Sequence, residues 1–303
     1  MPLLTGYRYY IHWRDIAAFV GKSMATLVTS QPRSYSGPVW SCLKVCIPLL
    51  LAMGTSEFEL WGQIEVPVTV QEALYPGIPS CPRTADPLTV GIPLPDSAGT
   101  RSVSQLGLAG PAAGQFRILG WWPSGNAKWV LIDTLVDLGS DGKSTRVVLT
   151  SGHGNFGGKP LATENPASIL IDTGPAQFTV RKARFNLFER VVVHGKTLVS
   201  AGASKGLVLV GPSPNQTFCG VCKTIYSSSN DAASKVVIEE NGPVKVVIKA
   251  MGAHKDAFGR VYMRFTARMT FYKGKSYVKV TSILRNADDS TSDFNSAYKG
   301  FTS

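Results

Sequence analysis

Residues 259–284, GRVYMRFTARMTFYKGKSYVKVTSIL, constrain this chain more than any other stretch. Side chains alternate with a period of two along a strand, so Val261, Met263, Phe265, Ala267, Met269 and Phe271 share one face. Tyr262, Arg264, Thr266, Arg268, Thr270 and Tyr272 share the other. A two-residue turn at Lys273-Gly274 or at Gly274-Lys275 pairs odd positions with even ones. Phe271 and Met269 then meet the Val278/Val280 face, while Lys279 and Arg285 join the polar face. Only a sheet with one buried face accommodates such a hairpin. Its polar face carries Arg264, Arg268, Lys279 and Arg285 among Tyr262, Tyr272 and Tyr277, with Arg264 and Arg268 about 13 Å apart along the strand. Two readings stay open for that face: a track for an acidic sugar chain, arginines on carboxylates and tyrosines under rings, or a solvated sheet surface.

The rest of the chain reads the same way. Short runs punctuated by glycine and proline read as strands: IEVPVTV from Ile64, LTVGIPLP from Leu88, QFRILGWW, AKWVLIDTLVDL and STRVVLTS. Pro93 assigns the second of these to an edge or a bulge. VVIEENGPVKVVIKAMG is a second hairpin, with its turn expected at Asn241-Gly242. No amphipathic helix intervenes, so the expectation is an all-β chain: a leader over 1–60, a small antiparallel barrel or sandwich over 61–151, a Gly/Pro linker over 152–163, and a second β section over 164–303. The linker holds a formal G-x-G-x-x-G at Gly152, Gly154 and Gly157, with Asp172 downstream. Dinucleotide binding needs a helix there, and Pro160 and Pro166 break one. A P-loop needs Ser or Thr after its lysine, and Lys159 is followed by Pro160.

The formal net charge of +11 is unevenly spread. Residues 164–303 hold 19 Lys/Arg against 10 Asp/Glu, whereas residues 63–163 hold 7 of each. A field of that sign attracts anions. Of five cysteines, Cys219 and Cys222 form a single C-x-x-C without the second pair of a zinc site or the following helix of a redox motif. A local disulfide or two free thiols is the expectation, with no metal and no identifiable cofactor. No apolar stretch is long enough to span a membrane as a helix. WSCLKVCIPLLLAMG, with Cys42 and Cys46 and a signal-like segment over 42–54, has the layout of a signal peptide at an unusually late position. Asn215-Gln216-Thr217 would accept a glycan after export by a eukaryote. Both features favour secretion.

DPLTVGIPLPDSAG, then FRILGWWPSGNAKWVLIDT, then ILIDTGPAQFTVRKARFNLFERVVVHGKTLV, then GAHKDAFGRVYMRFTARMTFYKGKSYVKV resemble, in that order, the exo-rhamnogalacturonan lyase family of polysaccharide lyases. The resemblance covers roughly 64–285 and includes the Trp122–Trp129 corner, Gly91-Ile92-Pro93 upstream, and His254, Gly259, Arg268, Phe271, Tyr272 and Gly274 downstream. It implies an N-terminal RIFT-type barrel and a central β-sandwich, followed by a helical toroid. It also implies β-elimination from an acidic pectin-type polymer. That reaction needs a cation against the uronate carboxylate, a base for the C5 proton and a proton for the leaving oxygen. The sequence ends at Ser303, inside what the resemblance makes the sandwich, so the second section is expected to be incomplete.

Within this frame Trp129 is expected in the barrel core, Lys128 beside it, and Trp122 exposed as the sugar-stacking candidate. His254, read as a loop residue between hairpins, is the candidate for catalysis, because a neutral imidazole can act as a base. His153 and His194 sit on glycine-bounded turns and look ordinary. The expected function is binding of an acidic polysaccharide by the N-terminal portion of a secreted lyase-like protein, through Arg264, Arg268, Lys279, Tyr262, Tyr272 and Trp122. The alternative is a non-catalytic carbohydrate-binding or adhesion module. Nucleic acid is not the expected partner, because no nucleic-acid motif accompanies the charge.

Overall fold

The computed structural model describes residues 9–11, 64–72, 81–140, 143–212 and 223–286. The leader with its signal-like segment, the C-x-x-C and the glycan acceptor lie outside the described residues. Among those described, the regular structure is antiparallel β, and the helical turns are three-residue 3-10 segments. The chain is all-β, as its patterning implies.

Seven strands come first: β1 (Tyr9–Ile11), β2 (Glu65–Glu72), β3 (Arg83–Pro93), β4 (Leu106–Ala109), β5 (Gly114–Trp121), β6 (Ala127–Leu138) and β7 (Ser144–Ser151). They form a four-stranded sheet in the order β1-β2-β7-β4 and a three-stranded sheet in the order β3-β6-β5. Val68, Val70, Leu106, Val147 and Leu149 of the first meet Leu88, Val90, Ile92, Phe116, Val130 and Ile132 of the second in one core. The sheets curl round that core. β3 is an edge strand, as Pro93 requires, since proline donates no ladder hydrogen bond.

The second section pairs two sheets face to face. Strands β8 (Ala162–Glu164), β9 (Ser168–Asp172), β10 (Ala176–Arg181), β11 (Arg190–Val193) and β12 (Lys196–Val199) run in the order β12-β11-β10-β9-β8. The other sheet holds β13 (Val208–Pro212), β14 (Lys223–Ser227), β15 (Lys235–Asn241), β16 (Lys245–Lys255), β17 (Val261–Tyr272) and β18 (Val278–Asn286). Its order is β13-β14-β16-β17-β18, with β15 also on β16. Phe265, Ala267, Met269 and Phe271 of β17 are buried with Val246, Ile248 and Ala250 of β16 against Ile169, Ile171, Phe178 and Val180. Phe178 and Phe271 meet across the layer with centroids 5.0 Å apart. Each such side chain, fully buried, contributes about 1.5–3 kcal/mol.

The hairpin register follows the sequence pattern: Phe271 pairs Val278, Met269 pairs Val280, Thr270 pairs Lys279 and Arg264 pairs Arg285. The Tyr272 carbonyl accepts from the Lys275 N–H at 3.2 Å, but the Phe271–Val278 pairing is centred on Gly274-Lys275, so the loop between the strands is longer than two residues. The β15–β16 turn differs from expectation. Gly242 and Lys245 close the loop at 3.1 Å with Pro243-Val244 at its tip, two residues past Asn241-Gly242. Asn241 is engaged elsewhere, exchanging two hydrogen bonds with the Ala162 backbone at 3.1 and 2.9 Å. Proline meanwhile suits the first corner of a turn.

The 152–163 segment is laced down rather than loose. Phe156 exchanges backbone hydrogen bonds with Gly114 at 3.1 and 2.9 Å, and the Gly157 carbonyl accepts from Lys273 Nζ. Strand β8, not a helix, follows the three glycines.

A buried polar clasp joins the sections. Lys245 Nζ donates to both oxygens of Asp133 at 2.7 Å and lies 3.2 Å from Glu240 Oε2. Gln115 Oε1 accepts from the N–H groups of Val244 and Lys245 at 3.2 and 3.0 Å, while its Nε2 donates to Glu240 Oε1 at 2.8 Å. Thr89 Oγ1 donates to Asp133 as well. Gly242 makes the approach feasible, since a Cβ there would stand 2.1 Å from Gln115 Oε1. Removing one partner of a buried pair strands the others in low dielectric. Lys245→Met is therefore expected to cost about 3–5 kcal/mol, and Lys245→Met with Asp133→Leu clearly less. Urea unfolding of the full chain measures both; equal losses would mean that the pairing is not what matters.

Candidate functional site

The outward face of the six-stranded sheet is where most of the sequence-predicted residues gather. Burial alternates along β17: Arg264 is exposed, Thr266, Arg268 and Thr270 are half-buried, and the odd positions from Phe265 to Phe271 are buried. Cross-strand pairing sets Tyr272 beside Lys245, Thr270 between Val247 and Lys279, Arg268 between Lys249 and Thr281, and Arg264 between Ala253 and Arg285. Directly opposed residues of antiparallel strands have Cβ atoms about 5 Å apart, so two like charges there repel. Arg264 and Arg285 are both exposed and opposed in this way. Among the described residues neither has an ion-pair partner within 4.0 Å.

Arg268 is differently placed. Its Nε and Nη2 grip the two oxygens of Glu239 at 2.6 and 2.9 Å, and Lys249 Nζ stands 3.2 Å from Glu239. The Arg268 hydrogen bond, aided by Lys249, holds the Glu239 carboxyl below its ordinary range against a smaller opposing effect of burial. Glu239 is the extra residue of a bulge in β15, between Ile238 and Glu240. The sequence reading did not anticipate this acid on the basic face, since the bulge moves it out of simple alternation.

The tyrosines are more committed than the pattern implies. Tyr262 stacks on Tyr226 with centroids 4.8 Å apart, and its ring lies over Gly211. Tyr272 sits at the clasp, 6.4 Å from Tyr277. Burial, then Asp133, Tyr277 and Glu240, push its phenol up to about 12, so it stays protonated at neutral pH. Burial raises the Glu240 carboxyl too, partly offset by Lys245.

His254 is not in a loop. It belongs to β16, pairs with Met263 and points to the core side, away from the arginines. It is 1% exposed, meets Phe265 edge-on at 5.2 Å, and has Nδ1 3.3 Å from the Met263 carbonyl. Its Nε2 is buried without a partner among the described residues. The loop begins after it: Asp256 accepts from the N–H groups of Phe258 and Arg260 and from Arg260 Nε, at 2.9, 2.8 and 2.6 Å. The pattern GAHKD mixes small and polar residues, so it did not disclose that β16 runs on to Lys255.

The tryptophan corner reverses the expected roles. Trp122 Nε1 donates to the Leu94 carbonyl at 3.0 Å, and Lys128 Nζ lies 4.5 Å above its ring. The turn beneath is tied by Ser124 and Asn126 to Asp96. Trp129, expected in the core, is 38% exposed, because it shares its face of β6 with Leu131 and Asp133 rather than with Val130 and Ile132. The clasp residues were not singled out from the sequence. An acid at 133 within the apolar run WVLIDTLV was the available signal.

Residues 161–297 match the family model described as PcRGLX-like protein central beta sandwich domain, a rhamnogalacturonan lyase-related family. The fold of the second section agrees with that description. The chain is also similar to the Uncharacterized protein YetA of Bacillus subtilis (strain 168), 26% identical over 165 residues. The aligned part is 52% of this chain and 18% of YetA, so the chain spans well under two thirds of that relative. Among the described residues no helix is long and apolar enough to cross a membrane, and no three metal-ligating side chains converge.

Burial is what lowers the His254 pKa below its ordinary 6.5, against a smaller raising effect from the Met263 carbonyl. Above pH 6.5 the ring is neutral in both folded and unfolded chain, and stability is at its full value. As pH falls through 6.5 the unfolded chain takes the proton first, so stability drops by up to about 1.4 kcal/mol per pH unit until the folded pKa is reached. Urea unfolding at pH 7.5 and 5.5 is expected to show a smaller pH effect in His254→Gln than in the natural chain.

Proposed function

We propose that this chain binds an acidic polysaccharide along the outward face of its six-stranded sheet, as the N-terminal portion of a secreted polysaccharide lyase-like protein. The observation that carries the reading is the opposed Arg264–Arg285 pair, two exposed guanidiniums across one ladder position with no ion-pair partner among the described residues. A carboxylate from a uronate residue relieves that repulsion and accepts planar, bidentate hydrogen bonds. Lys279 adds charge one side of the row, and Arg268, held by Glu239, keeps an outer edge available. Tyr262 and Tyr272 frame the face rather than lead contact, since each is engaged with protein neighbours, and Trp122 lies apart from it, at the β5–β6 corner of the first section.

The lyase-related family match over 161–297 supports a pectin-type polymer, rhamnogalacturonan in particular. In this reading residues 61–151 are a RIFT-type barrel, 152–163 the connection and 164–303 the sandwich; the two separate cores support that division. Secretion accords with such a substrate and with the signal-like segment at 42–54.

One observation favours a second reading, a carbohydrate-binding module without cleavage by this chain. His254 lies on the opposite side of the sheet from the arginines. A lyase raises absorbance as unsaturated uronate ends form, whereas a binding module does not.

Arg264→Ala with Arg285→Ala is expected to abolish retention of the full chain on immobilised polygalacturonate or rhamnogalacturonan at low salt. Arg268→Ala weakens it less, because Glu239 already neutralises that side chain. Raising salt should release the natural protein progressively as exposed charges are screened. Retention unchanged in the double variant would remove the binding claim.

A further inference from the structure

The three-stranded sheet of the first section has an outer face that the clasp covers only at one end. The register defines its rows across β3, β6 and β5. Thr89, Asp133 and Gln115 form the first row, closed by the clasp. Gly91, Leu131 and Arg117 form the second, and Pro93, Trp129 and Gly120 the third. Successive rows are about 7 Å apart.

Among the described residues the second and third rows are open. A Cβ on Gly91 would meet no heavy atom within 4 Å, and one on Gly120 would just reach Trp129 Cδ1, at 3.8 Å. Trp129 is therefore a broad ring at the centre of a row whose flanking residues, proline and glycine, raise no wall beside it. Leu119 and Trp121 at the end of β5 are 52% exposed each. Arg117, exposed in the next row, is diagonal to Trp129, about 7–8 Å away between Cα atoms. It also lies near enough to Glu240 to act on that carboxyl, so the face runs directly into the clasp.

We infer that Trp129 and Arg117 form a second sugar subsite, one uronate pyranose stacking on the Trp129 ring with its carboxylate on Arg117. A flat apolar ring with a cation one row away matches a sugar that has an apolar C–H face and one charged edge. The inference rests on the acidic-polysaccharide reading and extends it to the first section. The clasp joins this platform to the sheet that carries Tyr272, Arg268 and Arg264, so one chain of sugars can engage both.

Binding of polygalacturonate to the full chain, read by affinity electrophoresis and by tryptophan fluorescence, tests it. Trp129→Ala should weaken binding about tenfold. Trp129→Phe, which keeps a ring, should stay within about threefold. Arg117→Ala, at an exposed position, should weaken binding at low salt and have little effect at high salt. If Trp129→Ala lowers the melting temperature, the Phe and Arg117 variants decide. Unchanged binding in Trp129→Ala and Arg117→Ala, with loss in Arg264→Ala/Arg285→Ala, overturns the platform and leaves the basic-face reading standing. Loss in the Trp129 and Arg117 variants alone upholds the platform and sinks that reading. A natural chain that does not bind polygalacturonate overturns both.

Discussion

Lys245 places its ammonium between Asp133 and Glu240 at a point where β6 of one section meets β16 of the other. All three are largely withdrawn from water, and two acids face one base. Ions in such surroundings require close partners, since each has lost its hydration. Gln115 completes the shell by taking the N–H groups of Val244 and Lys245, which a tight turn would otherwise leave unpaired. These bonds tie the three-stranded sheet to the hairpin ends of the six-stranded sheet. The exposed faces on either side of the clasp take their relative positions from it.

Charge on those faces is sorted by pairing. Lys249 and Arg268 share Glu239; Lys255 is held by Asp231 at 2.9 Å and Arg260 by Asp256 at 2.6 Å. Against that background the opposed Arg264 and Arg285 stand out, because the sheet could lower its energy by replacing either. An exposed repulsion retained in a ladder is the arrangement an anionic ligand relieves. The same distinction separates the tryptophans. Trp122 has its indole N–H satisfied and a cation over its ring, whereas Trp129 presents its ring between Pro93 and Gly120.

Much of the second section was legible in the primary structure. The period-two pattern from Val261 to Tyr272, with a glycine turn, permits only registers that pair odd positions with even ones if the apolar face is to be buried, and the observed pairing is one of them. β6 and β7 coincide with the runs read as strands. Less legible was anything set by partners distant in the chain. Asn241-Gly242 carries a strong local turn signal, but Asn241 bonds Ala162 and Gly242 admits Gln115, 79 residues away in the first case. His254 looked like a loop residue because its strand has glycine and alanine where apolar bulk would mark a core.

Taken alone, the amino-acid order determined the class of fold, the alternation of each long strand and the basic character of one sheet face. These depend on near neighbours, and a strand turns every second side chain to the same side whatever else the protein does. Tertiary structure decided which cations are neutralised, which tryptophan is exposed and where His254 points. Each of those depends on a residue brought close only by the folding of sheets onto one another: Glu239 over Arg268, Leu94 under Trp122, Phe265 against His254. Burial and pairing are properties of a place in the fold, and sequence spacing carries no measure of them.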